Sequence, residues 1–287
     1  MTAAAVRLHF TVWSDRKVRP DPHNTQEQLQ LFEDPLELLR AVLRRVGAVS
    51  EYVMRVGVTS SLLLSHPPQH SAFVIDQLVR GAVLGETNAS AALLALATVL
   101  LSRSDENYDM FRAIYEAAAA EDRDCVTYLF LDLPPHHILE NRKSLRGPRF
   151  ERDVSLGERK QMARTSDRHL LERLLLDLNP EVIRKLCMNP KVTLKDILQV
   201  CTRRPNTPEA ITAIAMSHRW FVREEVRFAI LSNPYSPTGI SLKLLPLLKV
   251  QQLKEISSGV DLHPAIMHTA KRLLDLRRIS LGQGLSG

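Results

Sequence analysis

The side chains in this sequence with the most obvious chemical potential are two adjacent histidines, three cysteines and a run of arginines around a tryptophan. His136-His137 is followed by Glu140, so His137 and Glu140 would lie one turn apart on a helix, where an imidazole and a carboxylate can share a metal ion. The second helical histidine of a zinc-protease pattern is missing, and Pro134-Pro135 directly precedes the pair. It reads as a helix-start pair with no metal role. Cys125, Cys187 and Cys201 are too few and too scattered for a disulfide framework, and they are expected as small apolar core residues in a reducing compartment. Gly81 and Gly85 lack the lysine and the preceding strand of a phosphate-binding loop, and no nucleophile elbow occurs. Catalysis is not expected, and no cofactor or metal is assigned.

The remaining cluster is basic and aromatic: Arg203-Arg204, then His218-Arg219-Trp220, then Arg223 and Arg227. Arg223 and Arg227 are four residues apart, which predicts a shared helix face with Trp220 near its start. Arginines beside a tryptophan can hold phosphates or carboxylates. In the competing reading, Trp220 packs between helices while the arginines pair with Glu224, Glu225 or Glu181. Arg203, Arg204, Arg219, Trp220, Arg223 and Arg227 are the candidate partner-binding face.

The elements that must position this face follow from a phrase that occurs twice. Glu181-Val182-Ile183-Arg184-Lys185-Leu186-Cys187-Met188-Asn189-Pro190 returns 44 residues later as Glu225-Val226-Arg227-Phe228-Ala229-Ile230-Leu231-Ser232-Asn233-Pro234. Val182 matches Val226, Leu186 matches Ile230 and Cys187 matches Leu231, as buried helical positions would. Asn-Pro ends each helix, because proline lacks an amide proton and disfavours α geometry in the residue before it. A second helix follows each copy, carrying Leu194, Ile197, Leu198 and Cys201 or Ile240, Leu242, Leu244 and Leu245. A period of this length is that of a two-helix solenoid unit.

Elsewhere, Val6 to Val12 alternates apolar and polar residues and predicts one short strand. Asp34-Pro35 opens a helix with Leu36, Leu39, Val42, Leu43 and Val46 on one face, while Tyr52 to Leu64 fits either a strand or a poor helix. The nearly apolar run from Ala89 to Leu101 is too short to span a bilayer. The net charge of +6 conceals an asymmetry: residues 1–141 hold 12 Lys/Arg against 18 Asp/Glu, and residues 142–287 hold 26 against 14. A basic half can meet nucleic acid, an acidic protein or anionic lipid, or it can neutralise the acidic half.

The expected fold is all-α. It comprises an N-terminal strand and linker (1–34), an acidic helical bundle (35–141), a basic linker (142–154), a basic α-solenoid of helical hairpins (155–278) and a disordered tail (279–287). The repeat resembles the leucine-rich repeat variant, a relative of the HEAT and armadillo solenoids, through Val226-Arg227, Leu231, Asn233-Pro234, Pro237 and Ile240, and through Val182, Asn189-Pro190 and Leu194. The run from Leu156 to Leu274 is also similar to the C-terminal part of uncharacterised bacterial proteins. With no signal pattern at the start, no bilayer-length apolar run and no catalytic motif, a cytoplasmic, non-enzymatic protein is expected, an adaptor binding a partner protein on the concave solenoid face, an acidic partner if the arginines meet carboxylates. The alternative is a nucleic-acid-binding helical-repeat protein with a basic face. No membrane partner is expected.

Overall fold

The computed structural model describes residues 32–102, 107–138, 147–259 and 261–283. The described residues form sixteen α-helices and no strand, so the fold is all-α; the strand expected over Val6 to Val12 lies outside them. Six helices come first: α1 (Pro35–Ala48), α2 (Tyr52–Leu64), α3 (Pro68–Leu84), α4 (Thr87–Ser102), α5 (Tyr108–Ala120) and α6 (Asp124–Phe130). Asp34 caps α1 by accepting from the Leu36 amide at 2.9 Å, as its position before Pro35 predicts. The inward face of α1 is Leu38, Ala41, Val42 and Val46, whereas Leu36, expected inside, is exposed. Tyr52 to Leu64 is a helix despite its β-branched residues, because α2 packs its Leu62 and Leu63 into the core beside α1 and α4. Gly85, at φ +90°, ends α3 in the left-handed region, where glycine has no Cβ to clash.

The second group contains ten helices: α7 (Leu156–Met162), α8 (Arg168–Leu174), α9 (Pro180–Met188), α10 (Leu194–Thr202), α11 (Pro208–Ala215), α12 (His218–Phe221), α13 (Glu224–Leu231), α14 (Thr238–Leu244), α15 (Val250–Ser258) and α16 (Pro264–Gln283). The paired helices keep the 44-residue offset at their starts, since Pro180 corresponds to Glu224 and Leu194 to Thr238. The matched apolar positions are all buried: Val182 with Val226, Leu186 with Ile230 and Cys187 with Leu231. The two Asn-Pro asparagines make the same bonds. Asn189 donates its side-chain amide to the carbonyls of Ala163 and Thr165, both at 2.8 Å, and accepts from the Lys191 amide. Asn233 donates to Cys201 (2.6 Å) and Arg203 (3.0 Å) and accepts from the Tyr235 amide. Residues 279–283, expected in the disordered tail, continue α16, because no glycine or proline interrupts the chain between Pro264 and Leu281.

All seven residues of α14 are buried, and the helix packs against α4, α6, α13 and α16, joining the first group to the second. Gly239 permits this approach, since a Cβ there would lie 2.9 Å from the Leu131 carbonyl oxygen and 2.8 Å from Asp132 Oδ1. Thr238 donates its hydroxyl to Pro134 O at 2.7 Å, and the His137 amide donates to Pro234 O at 3.0 Å. The long α16 crosses α3 and α6, where Arg277 donates to Val83 O at 2.5 Å and Arg272 pairs with Asp124. The buried apolar side chains from Leu38 to Leu273 form one connected cluster.

Buried carboxylates in the second group are paired. Asp177 meets Arg159 at 2.6 Å, and both oxygens of Asp196 meet Arg168, at 2.5 and 2.7 Å. The Arg168 guanidinium, helped by the amide and hydroxyl of Thr193 and opposed by burial, holds the Asp196 carboxyl down at about 2. A folded-state pKa below the ordinary 3.8 contributes stability that is present above about pH 4 and lost as pH falls toward 2. Asp196→Asn should therefore flatten the acid limb. Urea unfolding between pH 5 and 2.5 should show the parent chain losing roughly 1 kcal/mol more than the variant, the figure being reduced because Arg168 is half exposed.

Candidate protein-interaction site

The helix expected to carry Trp220, Arg223 and Arg227 on one face is two helices. The chain leaves α12 after Phe221, and Arg223 takes an extended conformation (φ −80°, ψ 124°) as the residue before α13. Glu224 and Glu225 then fill the first turn of α13, where carboxylates favour the positive end of the helix dipole. This break was legible in the repeat, because Arg223 occupies the position of Asn179, which caps α9. Arg223 and Arg227 consequently part: Arg223 is exposed, and Arg227 turns inward.

The other arginines are used internally, though not by the carboxylates that the sequence suggested. Arg227 donates to the carbonyls of Phe221 (3.1 Å) and Val222 (2.7 Å) at the end of α12, and burial pulls its pKa down. Arg219 donates to Asn189 O (2.8 Å) and Val192 O (3.1 Å), and its guanidinium lies 4.4 Å from the Trp220 ring centre. Trp220 is buried, with its indole N–H on Cys187 O at 3.0 Å, so Arg219 and Trp220 together close the end of α9. Arg203 donates to Leu176 O at 2.7 Å, just past α8. Arg204 donates to Ser232 O at 2.7 Å and lies 3.5 Å from Asp261. Of the six residues singled out, Arg223 alone has no side-chain hydrogen bond or ion pair among the described residues. The cysteines lie where small apolar residues were expected. Cys187 and Cys201 are buried, and burial pushes the Cys187 thiol up to about 12 and Cys201 higher still.

Beside this collar lies a groove that pattern reading missed. It holds about 520 Å³ between α10, α13 and the start of α15. Leu198 and Phe228 form an apolar floor with Ala229 and remain partly open to solvent. Glu224 is tied across the groove by Lys249 Nζ (2.9 Å) and Gln252 Nε2 (3.2 Å). Glu225 is exposed on the rim and forms no ion pair among the described residues. The Ser232 hydroxyl, at the far end of α13, is buried without a hydrogen-bond partner among the described residues. The one available signal was Phe228, a large apolar residue where the first copy has Arg184. The arrangement can receive apolar side chains and one cation; its carboxylate rim opposes phosphate.

No helix among the described residues is long and apolar enough to cross a membrane.

The different settings of Arg223 and Arg227 can be separated by charge reversal. Arg227→Glu places a carboxylate against the Phe221 and Val222 carbonyls and should lower unfolding free energy by about 2 kcal/mol or more. Arg223→Glu should change it by less than about 0.5 kcal/mol in the same urea titration.

No family model, no curated protein and no solved structure matches this chain, and the groove and its arginine collar stand on their own geometry.

Proposed function

We propose that this protein is a non-enzymatic cytoplasmic adaptor that binds a partner protein in the groove between α10, α13 and α15. In this reading the second group of helices is a solenoid related to the leucine-rich repeat variant, and the groove belongs to its concave face. The matched hydrogen bonds of Asn189 and Asn233 support the repeat, since each asparagine bridges two carbonyls and one amide in the same manner. The observation that carries the functional reading is the groove itself, with its open Leu198 and Phe228 floor and, on its rim, Glu225, which forms no ion pair among the described residues. An occupant of matching chemistry is an apolar peptide segment flanked by a lysine or arginine. A phosphodiester backbone suits it poorly, because the guanidinium groups nearby are donating to carbonyls while the groove presents carboxylates. Three cysteines without disulfides fit a reducing compartment.

Peptide display against the full chain tests this directly. Selected sequences should combine bulky apolar residues with a nearby Lys or Arg. Phe228→Glu should abolish their binding while leaving the helical circular dichroism intact, and Glu225→Lys should weaken basic peptides by about tenfold, roughly one desolvated charge contact. Selection of no peptide, or a duplex bound at physiological salt and lost on Arg223→Glu, would overturn the reading in favour of nucleic acid or of no groove function.

A further inference from the structure

His136, His137 and Asp261 come from opposite sides of the seam between the two helix groups, 124 residues apart in sequence for the closest pair. One ligand-capable atom from each lies within 4.8 Å of the others. We propose that they form a binding site for one divalent transition-metal ion of the zinc class, which clamps the segment after α6 to the start of α16.

The site is partly built in advance. His137 is fixed by the hydrogen bond its backbone N–H donates to Pro234 O (3.0 Å) and by its ring, 5.5 Å from that of Tyr235. Its Nε2 lies 2.6 Å from Asp261 Oδ1. Arg204 approaches the other carboxylate oxygen at 3.5 Å, which leaves Oδ1 for an ion and steadies the carboxylate from outside, as outer partners of metal ligands commonly do. The His136 ring lies 4.8 Å from His137 and 6.5 Å from His263, which heads α16. His263 uses Nδ1 to accept from the Ala265 amide at 3.2 Å, so Nε2 is the nitrogen it retains for a fourth position, which water can otherwise fill.

Two imidazoles and one carboxylate without a thiolate suit zinc, cobalt, nickel or copper; calcium and magnesium prefer oxygen shells. Metal–ligand distances of about 2.0–2.2 Å in a tetrahedral site place ligand atoms roughly 3.3 Å apart. The His137–Asp261 contact must therefore open modestly, and the hydrogen bond between them is given up as the ion binds. His137 and Asp261 side chains retain 45% and 52% of their exposure, so a hydrated ion can reach them. The structural consequence is a cross-link between segments that otherwise meet through hydrogen bonds. It is independent of the groove.

The test uses the untagged full chain. Zinc followed by calorimetry should bind saturably at one equivalent, and cobalt should give the intense visible absorption of a tetrahedral nitrogen–oxygen site. His137→Ala and Asp261→Asn should each weaken zinc binding by at least about tenfold and remove the cobalt band. Zinc should also raise the thermal midpoint of the parent chain but not of these variants. A parent chain with no saturable zinc binding and no cobalt band overturns the proposal, even if a variant fails to fold. So does binding that persists in the His136→Ala/His137→Ala chain, which would place the ion on others of the ten histidines.

Discussion

The second half of this protein depends on hydrogen bonds from side chains to the carbonyls that short helices leave open. The last four carbonyls of any α-helix lack an intrahelical partner, and in helices of seven to nine residues that is about half of the backbone acceptors. Glycine caps cannot supply the missing donors here, because α7 to α14 end without one. Asparagine, arginine and tryptophan do so instead. Asn189 serves the end of α7, Arg203 the turn after α8, and Arg219 with Trp220 the end of α9. Asn206 and Asn233 serve the end of α10, Arg227 that of α12 and Arg204 that of α13. Each donor comes from a neighbouring turn or helix, so the same bond that satisfies a carbonyl fixes how two elements meet. A guanidinium suits the role through its five donors in a rigid fork.

This constraint explains much of the charge asymmetry. The excess of Lys and Arg in residues 142–287 suggests a surface for phosphates, yet several of those guanidiniums are committed to backbone oxygens, and Arg159 and Arg168 to the buried carboxylates Asp177 and Asp196. Others reach the acidic half: Arg272 pairs with Asp124, and Arg277 donates to Val83 O across the contact of α16 with α3. What stays open beside the collar is an apolar groove whose rim carries Glu225, a carboxylate with no ion pair among the described residues. The proposed adaptor role follows from that difference.

Sequence pattern revealed the parts governed by local chemistry. The Asp34-Pro35 start, the 44-residue offset, the burial of Leu186 and Ile230 and the core placement of Cys187 and Cys201 all follow from spacing that one helix imposes on its neighbours. Spacing also misled, because Trp220, Arg223 and Arg227 fit one helix face only if no break occurs, and the chain breaks at Arg223, 44 residues after the Asn179 cap. The Tyr52–Leu64 helix was ambiguous because its partners, α1 and α4, are set by packing and not by propensity. The meeting of His137 with Asp261 was invisible, and the groove left only Phe228 as a trace, since both join residues brought together by tertiary packing. His136 and His137 also lie in a bend, not at the helix start that Pro134-Pro135 suggested.

The two asparagines isolate the demand for carbonyl donors most directly, since neither carries charge and both are buried. Asn189→Ala and Asn233→Ala, measured by equilibrium urea unfolding, should each lose about 1–3 kcal/mol, because each strands one buried carbonyl together with a partly buried carbonyl and amide. Losses below about 0.5 kcal/mol at both sites, the range of ordinary surface substitutions, would contradict it.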